Sequence, residues 1–422
     1  MFASRIATRS ENAGGAGFAE AYGYELSGRL DTVHRGGALV SDYGFDSNGN
    51  RTSHRIGAAS PLRGRVWPCL GDLAGTAEVT VAGSFDAQDR MQSYGTCQYE
   101  YTRNGELTRR TDSATGAVTN YQYDEFGNLR GVDLPDGRVV SYHIDGLNRR
   151  VGKSIDGVRK WGLLYASQLE PVAELDGAGN IVASFLYADR PHVPSLMLKG
   201  GHTYRILSDH LGSVRLVIDL ADGSIAQRLA YDEYGNVIED TNPGLQPFAY
   251  AGGLYDRDTG LTRFGARDYD PISGRWTAKD PIRFWGGDSN VFAYVGSDAI
   301  NYVDIGGKSK FDRWWGLPEK FRRWYHRNSK VDGAPDIPDR EAAMELFDEW
   351  KKLGQPGPDS KGRYRKYEEG FFDPEMIFDA MGPTGFLFAP SEFGCADFDC
   401  NPRDGIDDRD VVIGNGIPCS DD

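Results

Sequence analysis

The stretch Gly253-Leu254-Tyr255-Asp256, followed by Phe264-Gly265-Ala266-Arg267-Asp268-Tyr269-Asp270-Pro271, decides how this chain is read. It runs on through Gly274-Arg275-Trp276, Asp280-Pro281-Ile282, Asn290-Val291-Phe292-Ala293-Tyr294-Val295 and Asn301-Tyr302-Val303-Asp304. Its Asp-Pro pairs are turn formers. Helix-forming residues are thin before residue 309 and concentrated after it. That shift marks a boundary at about residue 307, with one kind of protein before it and another after it.

Working outward toward the N-terminus, a short unit recurs. Two aromatic or β-branched residues alternate, then come Asp, two further residues, Gly and often Asn. The clearest copy is Tyr121-Gln122-Tyr123-Asp124-Glu125-Phe126-Gly127-Asn128-Leu129. Others are Tyr43-Gly44-Phe45-Asp46-Ser47-Asn48-Gly49-Asn50-Arg51 and Tyr231-Asp232-Glu233-Tyr234-Gly235-Asn236-Val237, with weaker copies from Tyr22, Tyr99 and Tyr142. Neighbouring copies lie about 20 residues apart, a spacing at which repeat architectures occur. Alternating aromatics suit a strand with one buried face. Asp at the turn can accept from backbone amides ahead of it, and Gly three residues on takes the left-handed conformation of a bulged type I turn. Each unit therefore predicts one β-hairpin. A lone hairpin is unstable, so the units stack into one sheet. An ordinary β-sandwich is the alternative, disfavoured by so stereotyped a turn. Residues 52–98 match poorly and read as an insertion or as degenerate copies.

The core stretch, the repeats and Leu207-Ser208-Asp209-His210-Leu211-Gly212-Ser213-Val214-Arg215 together resemble the Rhs/YD-repeat family over about residues 20–307. The resemblance implies a mainly β fold. YD-repeat hairpins over 1–200 would form a partial shell wall, and 201–307 would be the Rhs repeat-associated core. A variable segment over 308–422 follows, mainly α, helical over 311–353, with an acidic Cys-containing end. His210 reads as a hydrogen-bonded turn histidine rather than a catalytic one. Family members are longer. The chain is therefore expected to be the C-terminal part of a split shell, with a missing N-terminal shell segment as partner, or a remnant.

In self-processing members the core acts as an aspartyl peptidase on its own chain. The resemblance maps the two carboxylates onto Asp280 and Asp304, an anchoring arginine onto Arg275, and the cut near Lys308. Two carboxyl groups held close cannot both ionise, so one can activate water while the other protonates the leaving amide. Ile305 stands where the family has Pro, and Lys308 where it has Leu.

The formal charge of −15 argues against an overall nucleic-acid-binding surface. No apolar run approaches a membrane span, and Met1-Phe2-Ala3-Ser4-Arg5 opens no signal peptide. Export would then use a dedicated route to the outside or to the cell surface. Five cysteines are too few and too odd for a disulfide scaffold. Cys395, Cys400 and Cys419 cluster at the end, where they suggest a local staple or a three-thiolate zinc site. Phe311, Trp314, Trp315, Leu317, Phe321, Trp324 and Tyr325 recur at helical steps, as do Ala343, Leu346, Phe347 and Trp350. The basic, aromatic Lys310–Lys330 segment suits a solvated amphipathic helix better than a nucleic-acid face, and His326 alone makes no His-Asn-His site. Asp399, Asn401, Asp404, Asp407 and Asp410 are candidate Ca²⁺ ligands, against a disordered acidic end. No cofactor is required.

These readings converge on an Rhs-type polymorphic toxin fragment. As the resemblance implies, a β-shell would enclose its own C-terminal segment as cargo and could cut it free, with an immunity protein expected to guard the producer. The alternatives are a non-enzymatic surface or adhesion protein and a truncated inactive remnant.

Overall fold

Each Asp-x-x-Gly unit closes on itself. At Asp124, Oδ1 accepts from the amides of Phe126 and Asn128 at 3.0 and 2.9 Å, and the Gly127 amide donates to the Asp124 carbonyl at 3.0 Å. Gly127 sits at φ +78°, where any Cβ would be strained. The pairing register slips by one residue between Gln122 and Tyr123, which is the expected bulge. The turns at Asp46 and Asp232 repeat this arrangement, with Gly49 and Gly235 at φ +83° and +91°.

The computed structural model describes residues 5–11, 18–75, 77–188, 190, 192–286, 288–308, 347, 348, 351 and 352. All of them lie in the first of two compact units, 1–367 and 368–422. Among the described residues, 21 strands between Thr8–Glu11 and Val237–Asp240 form a single sheet. Pairing is antiparallel and follows chain order, as in Val118–Tyr123 with Leu129–Asp133 and then Val139–Ile144. One step skips: Arg51–Ile56 pairs with Val79–Phe85 across residues 57–78. That excursion carries its own ribbon, Val66–Trp67 with Gly71–Asp72.

Residues 52–98 thus combine both expectations. The excursion is an insertion, and the hairpin after it is a repeat in disguise. In Asp86-Ala87-Gln88-Asp89-Arg90 the Asp86 carboxylate accepts from the amides of Gln88 and Arg90, but Asp89 replaces Gly at φ +61°. Asp tolerates that conformation better than most residues, so the turn survives while its signature is lost. A disulfide that the sequence reading had not paired, Cys69 to Cys97, pins the excursion to the wall strand Cys97–Tyr101. Both cysteines are buried beside Leu70, Leu73 and Tyr94.

After the wall comes a four-stranded sheet, Leu254–Asp256, Leu261–Phe264, Arg267–Asp270 and Arg275–Trp276. Phe264, Tyr269, Trp276 and Tyr294 pack into one aromatic nest, with Tyr269 and Tyr294 centroids 4.4 Å apart. Tyr22, Leu30, Val217 and Leu229 of the wall share that core. Burying so many large rings provides most of the hydrophobic driving force here. The mainly β class and the shell-wall architecture therefore stand. Phe347, Asp348, Lys351 and Lys352, within the stretch expected to be helical over 311–353, are helical. The rest of the expected α segment, the three C-terminal cysteines and the calcium candidates Asp399, Asn401, Asp404, Asp407 and Asp410 lie outside the described residues.

Candidate self-processing site

Arg267 leaves the third core strand as a buried guanidinium with two carboxylates on one nitrogen. Its Nη2 lies 2.9 Å from Asp280 Oδ2 and 3.1 Å from Asp304 Oδ2. All three residues are buried, Asp304 at 1% exposure. The Arg267 guanidinium also stacks over Trp276, with Cζ 4.0 Å from the ring centre, which fixes its plane. The family resemblance maps its two carboxylates onto Asp280 and Asp304, 24 residues apart, and the fold places both against Arg267.

Each carboxylate arrives on a turn. Asp280 Oδ1 accepts from the Ile282 amide at 2.9 Å, and the Asp280 carbonyl accepts from the Arg283 amide at 2.9 Å. Asp304-Ile305-Gly306-Gly307-Lys308 reuses the wall turn. The Lys308 amide donates to Asp304 Oδ1 at 3.0 Å, the Gly307 amide donates to the Asp304 carbonyl at 3.3 Å, and Gly307 has φ +63°. Gly307 is obligatory for a second reason: a Cβ there would lie 2.5 Å from the Phe264 carbonyl oxygen. The turn is thereby pressed against Phe264, Gly265 and Ala266, and the Ala266 amide donates to the Gly306 carbonyl at 3.1 Å.

The peptide unit joining Gly307 to Lys308 is held at both ends. Arg267 Nε donates to the Gly307 carbonyl at 2.7 Å, while the Lys308 nitrogen faces Asp304 Oδ1. A cation on the carbonyl oxygen and a carboxylate on the amide nitrogen are the two contacts that amide hydrolysis exploits. Burial pushes Asp280 above the usual carboxylate range, against the pull of Arg267 and of the Ile282 amide. Burial likewise lowers Arg267, with Asp304 and Asp280 opposing.

Arg275 does not join the pair. Its Nη1 donates to Asn50 Oδ1 at 2.8 Å and its Nη2 to the Asp89 carbonyl at 2.6 Å, so it braces two wall turns against the core. Arg267 was missed because all four residues of Arg267–Asp270 are buried and no alternation singles it out. The one signal was its place inside the core stretch itself. His210 bonds the Ile300 carbonyl through Nε2 at 2.7 Å, as a turn histidine should. Among the described residues no group of acidic, His or Cys side chains is placed to hold a metal ion.

A Teneurin YD-shell family model matches residues 72–288. The chain belongs to the YD-shell family. It is 29% identical over 264 residues to chicken (Gallus gallus) Teneurin-1, covering 61% of this chain and 9% of that one. It is 27% identical over 350 residues to the probable deoxyribonuclease RhsA of Dickeya dadantii, covering 71% of this chain and 24% of that one. The YD-shell chain thus spans a small part of both relatives. The crystal structure of TcdB2-TccC3-TEV is 15% identical, with a TM-score of 0.44, covering 69% of this chain and 17% of that one.

Proposed function

We propose that this YD-shell chain is part of an Rhs-type toxin shell that cuts itself at the Gly307–Lys308 bond and so frees the segment that follows. The observation that carries this reading is the double grip on the Gly307–Lys308 peptide unit by Arg267 and Asp304, with Asp280 on the same guanidinium. In the proposed step Asp304, ionised, takes a proton from an attacking water. Asp280, whose carboxyl burial pushes above the usual carboxylate range, donates from its protonated form to the carbonyl oxygen beside Arg267. Asp304 then returns its proton to the departing amide nitrogen as the C–N bond breaks, and Asp280 recovers its proton from the new carboxyl group, so one water is added across the peptide bond. General acid–base help of this kind supplies about 10²–10⁴-fold, and a preorganised cation on the developing oxyanion adds a comparable factor.

The freed segment is the cargo, and an immunity protein is its expected partner in the producing cell. We place the shell outside the cell or at its surface, reached by a dedicated export route. The buried Cys69–Cys97 bridge supports an oxidising compartment, because such bridges rarely persist in a reducing cytosol. The second reading, a non-enzymatic surface protein, draws support from the teneurin match and from Ile305 and Lys308 at the turn. Intact mass separates the two. A chain shortened at Lys308, with its Asp304→Asn variant whole, supports release, and an uncut wild type supports the surface reading.

A further inference from the structure

The segment that delivers Asp304 is fastened to Arg5, Ile6 and Tyr24, at and beside the first described hairpin, Thr8–Glu11 with Phe18–Tyr24. Arg5 Nε donates to Asp298 Oδ2 at 2.9 Å, and the Ile6 amide donates to Asn301 Oδ1 at 2.9 Å. The phenol of Tyr24 donates to the Ile6 carbonyl at 2.7 Å and accepts from Asn301 Nδ2 at 3.0 Å. Asn301 Nδ2 also donates to Asp298 Oδ1 at 2.7 Å, which closes the ring of contacts. Arg5 runs through a slot cut for it. Its Nη2 lies 1.9 Å from where a Cβ on Gly28 would stand, and its Cζ sits 5.6 Å from the centre of the Tyr24 ring. The Asp298 side chain is 4% exposed while that of Arg5 is 26% exposed, so the pair is partly dehydrated, and losing Arg5 would leave a buried carboxylate with Asn301 as its remaining side-chain donor.

The backbone just before Asp298 is under strain. Val295, Gly296 and Ser297 take φ +44°, +63° and +62° in succession, and a β-branched residue such as Val295 resists that region. Strain of this kind costs about 1–3 kcal/mol per residue and persists only where surrounding contacts over-determine it. Ser297 itself is held by the Tyr234 hydroxyl and the Gly49 carbonyl, and the contacts from Arg5, Ile6 and Tyr24 hold Asp298 and Asn301 immediately after it. From Asn301 only Tyr302 and Val303 intervene before Asp304.

We infer that Arg5, Tyr24 and Asn301 are positioning residues that hold Asp304 against the Gly307–Lys308 unit, so that the cutting site is complete only when the first wall hairpin is docked. The inference rests on the self-processing reading. It gives the cut a dependence on wall assembly across 293 residues of sequence. A shell lacking its first hairpin would keep both carboxylates and leave its cargo attached.

Two measurements on the full chain test it, one of them independent of cleavage. In an Asp280→Asn background, hydrogen exchange at the Lys308 amide is expected to speed up roughly tenfold with Arg5→Ala, while wall amides such as that of Val132 keep their rates. Unchanged exchange at Lys308 would overturn the inference whether or not the chain cuts itself. In the otherwise wild-type chain, Arg5→Ala and Asp298→Ala should each slow cutting roughly tenfold, the double variant should be no slower than either, and Arg5→Lys should recover part of the rate. Cutting at the wild-type rate in both single variants would also overturn it. An uncut wild type whose Lys308 amide still responds to Arg5→Ala would refute only the self-processing reading.

Discussion

The wall and the core use the same aspartate turn for opposite ends. In the wall the carboxylate is spent at home. Oδ1 takes two backbone amides and Oδ2 takes the residue four positions on, as with Asn50 at 2.8 Å, Asn236 at 2.7 Å and Arg149 at 2.8 Å from their respective aspartates. In the core Asp304 satisfies the turn with Oδ1 alone and turns Oδ2 outward to Arg267, and Asp280 does likewise. A turn that neutralises its own charge is a fastener. One that exports a charge to a shared guanidinium is placed to do chemistry. In sequence the difference shows at position +4: Asn or Arg closes the wall turns at Asp46, Asp86, Asp124, Asp145 and Asp232, but Phe284 and Lys308 follow Asp280 and Asp304.

The sharpest way to break this contrast is to remove the shared cation. Arg267→Met leaves two buried carboxylates facing each other, and breaking a buried pair in this way costs about 3–5 kcal/mol. Denaturant unfolding should show that loss together with the end of cutting. A stable, cutting variant would mean that Arg267 is incidental. Opening the wall's disulfide comes next. Cys97→Ala, or a reductant, is expected to cost about 2–4 kcal/mol, read as a lower unfolding midpoint, while folded protein still cuts at the normal rate.

The turn glycines sharpen the comparison further. Gly307→Ala meets both a positive φ and the Phe264 carbonyl, and should slow cutting by displacing Lys308. Gly127→Ala meets a positive φ but no close backbone, so it should cost only about 1 kcal/mol and leave cutting untouched. Asp124→Ala, a fastener without reach, should also cost about 1 kcal/mol with no effect on processing. If Asp124→Ala stops the cut, wall and core turns are not functionally distinct.

Acidity gives the smallest and most graded test. Burial raises Asp280, so its neutral form persists above the ordinary carboxylate range and is lost as pH rises through the raised value. Cutting should therefore be faster at mildly acidic pH and fall on the alkaline side. The same group contributes stability that is complete below its unfolded pKa of 3.8 and disappears as pH rises through the folded value. A rate that climbs with pH would contradict the role given to Asp280.

Much of this was legible in the chain. Tyr121–Leu129 announces a hairpin because the Asp and Gly of its turn have few other uses, and the fold obeys it at Asp46, Asp124 and Asp232 alike. Legibility failed where a different residue could do the same physical work. Asp89 stands in for Gly at a left-handed position and hides a repeat. Asp280 and Asp304 were readable through the family resemblance. Arg275 and Arg267 were not distinguishable, because both are buried arginines on short core strands and only three-dimensional placement separates a brace from a charge clamp. The clasp left no mark at all, since Arg5 and Asp298 lie 293 residues apart and neither belongs to a recurring unit.

The most direct test is the intact mass of the purified chain beside Asp280→Asn and Asp304→Asn. A wild-type chain ending at Gly307, with both variants at full mass and equally stable, is the expected result. A full-length wild type under conditions where the wall is folded, or a cut that survives both substitutions, would contradict it.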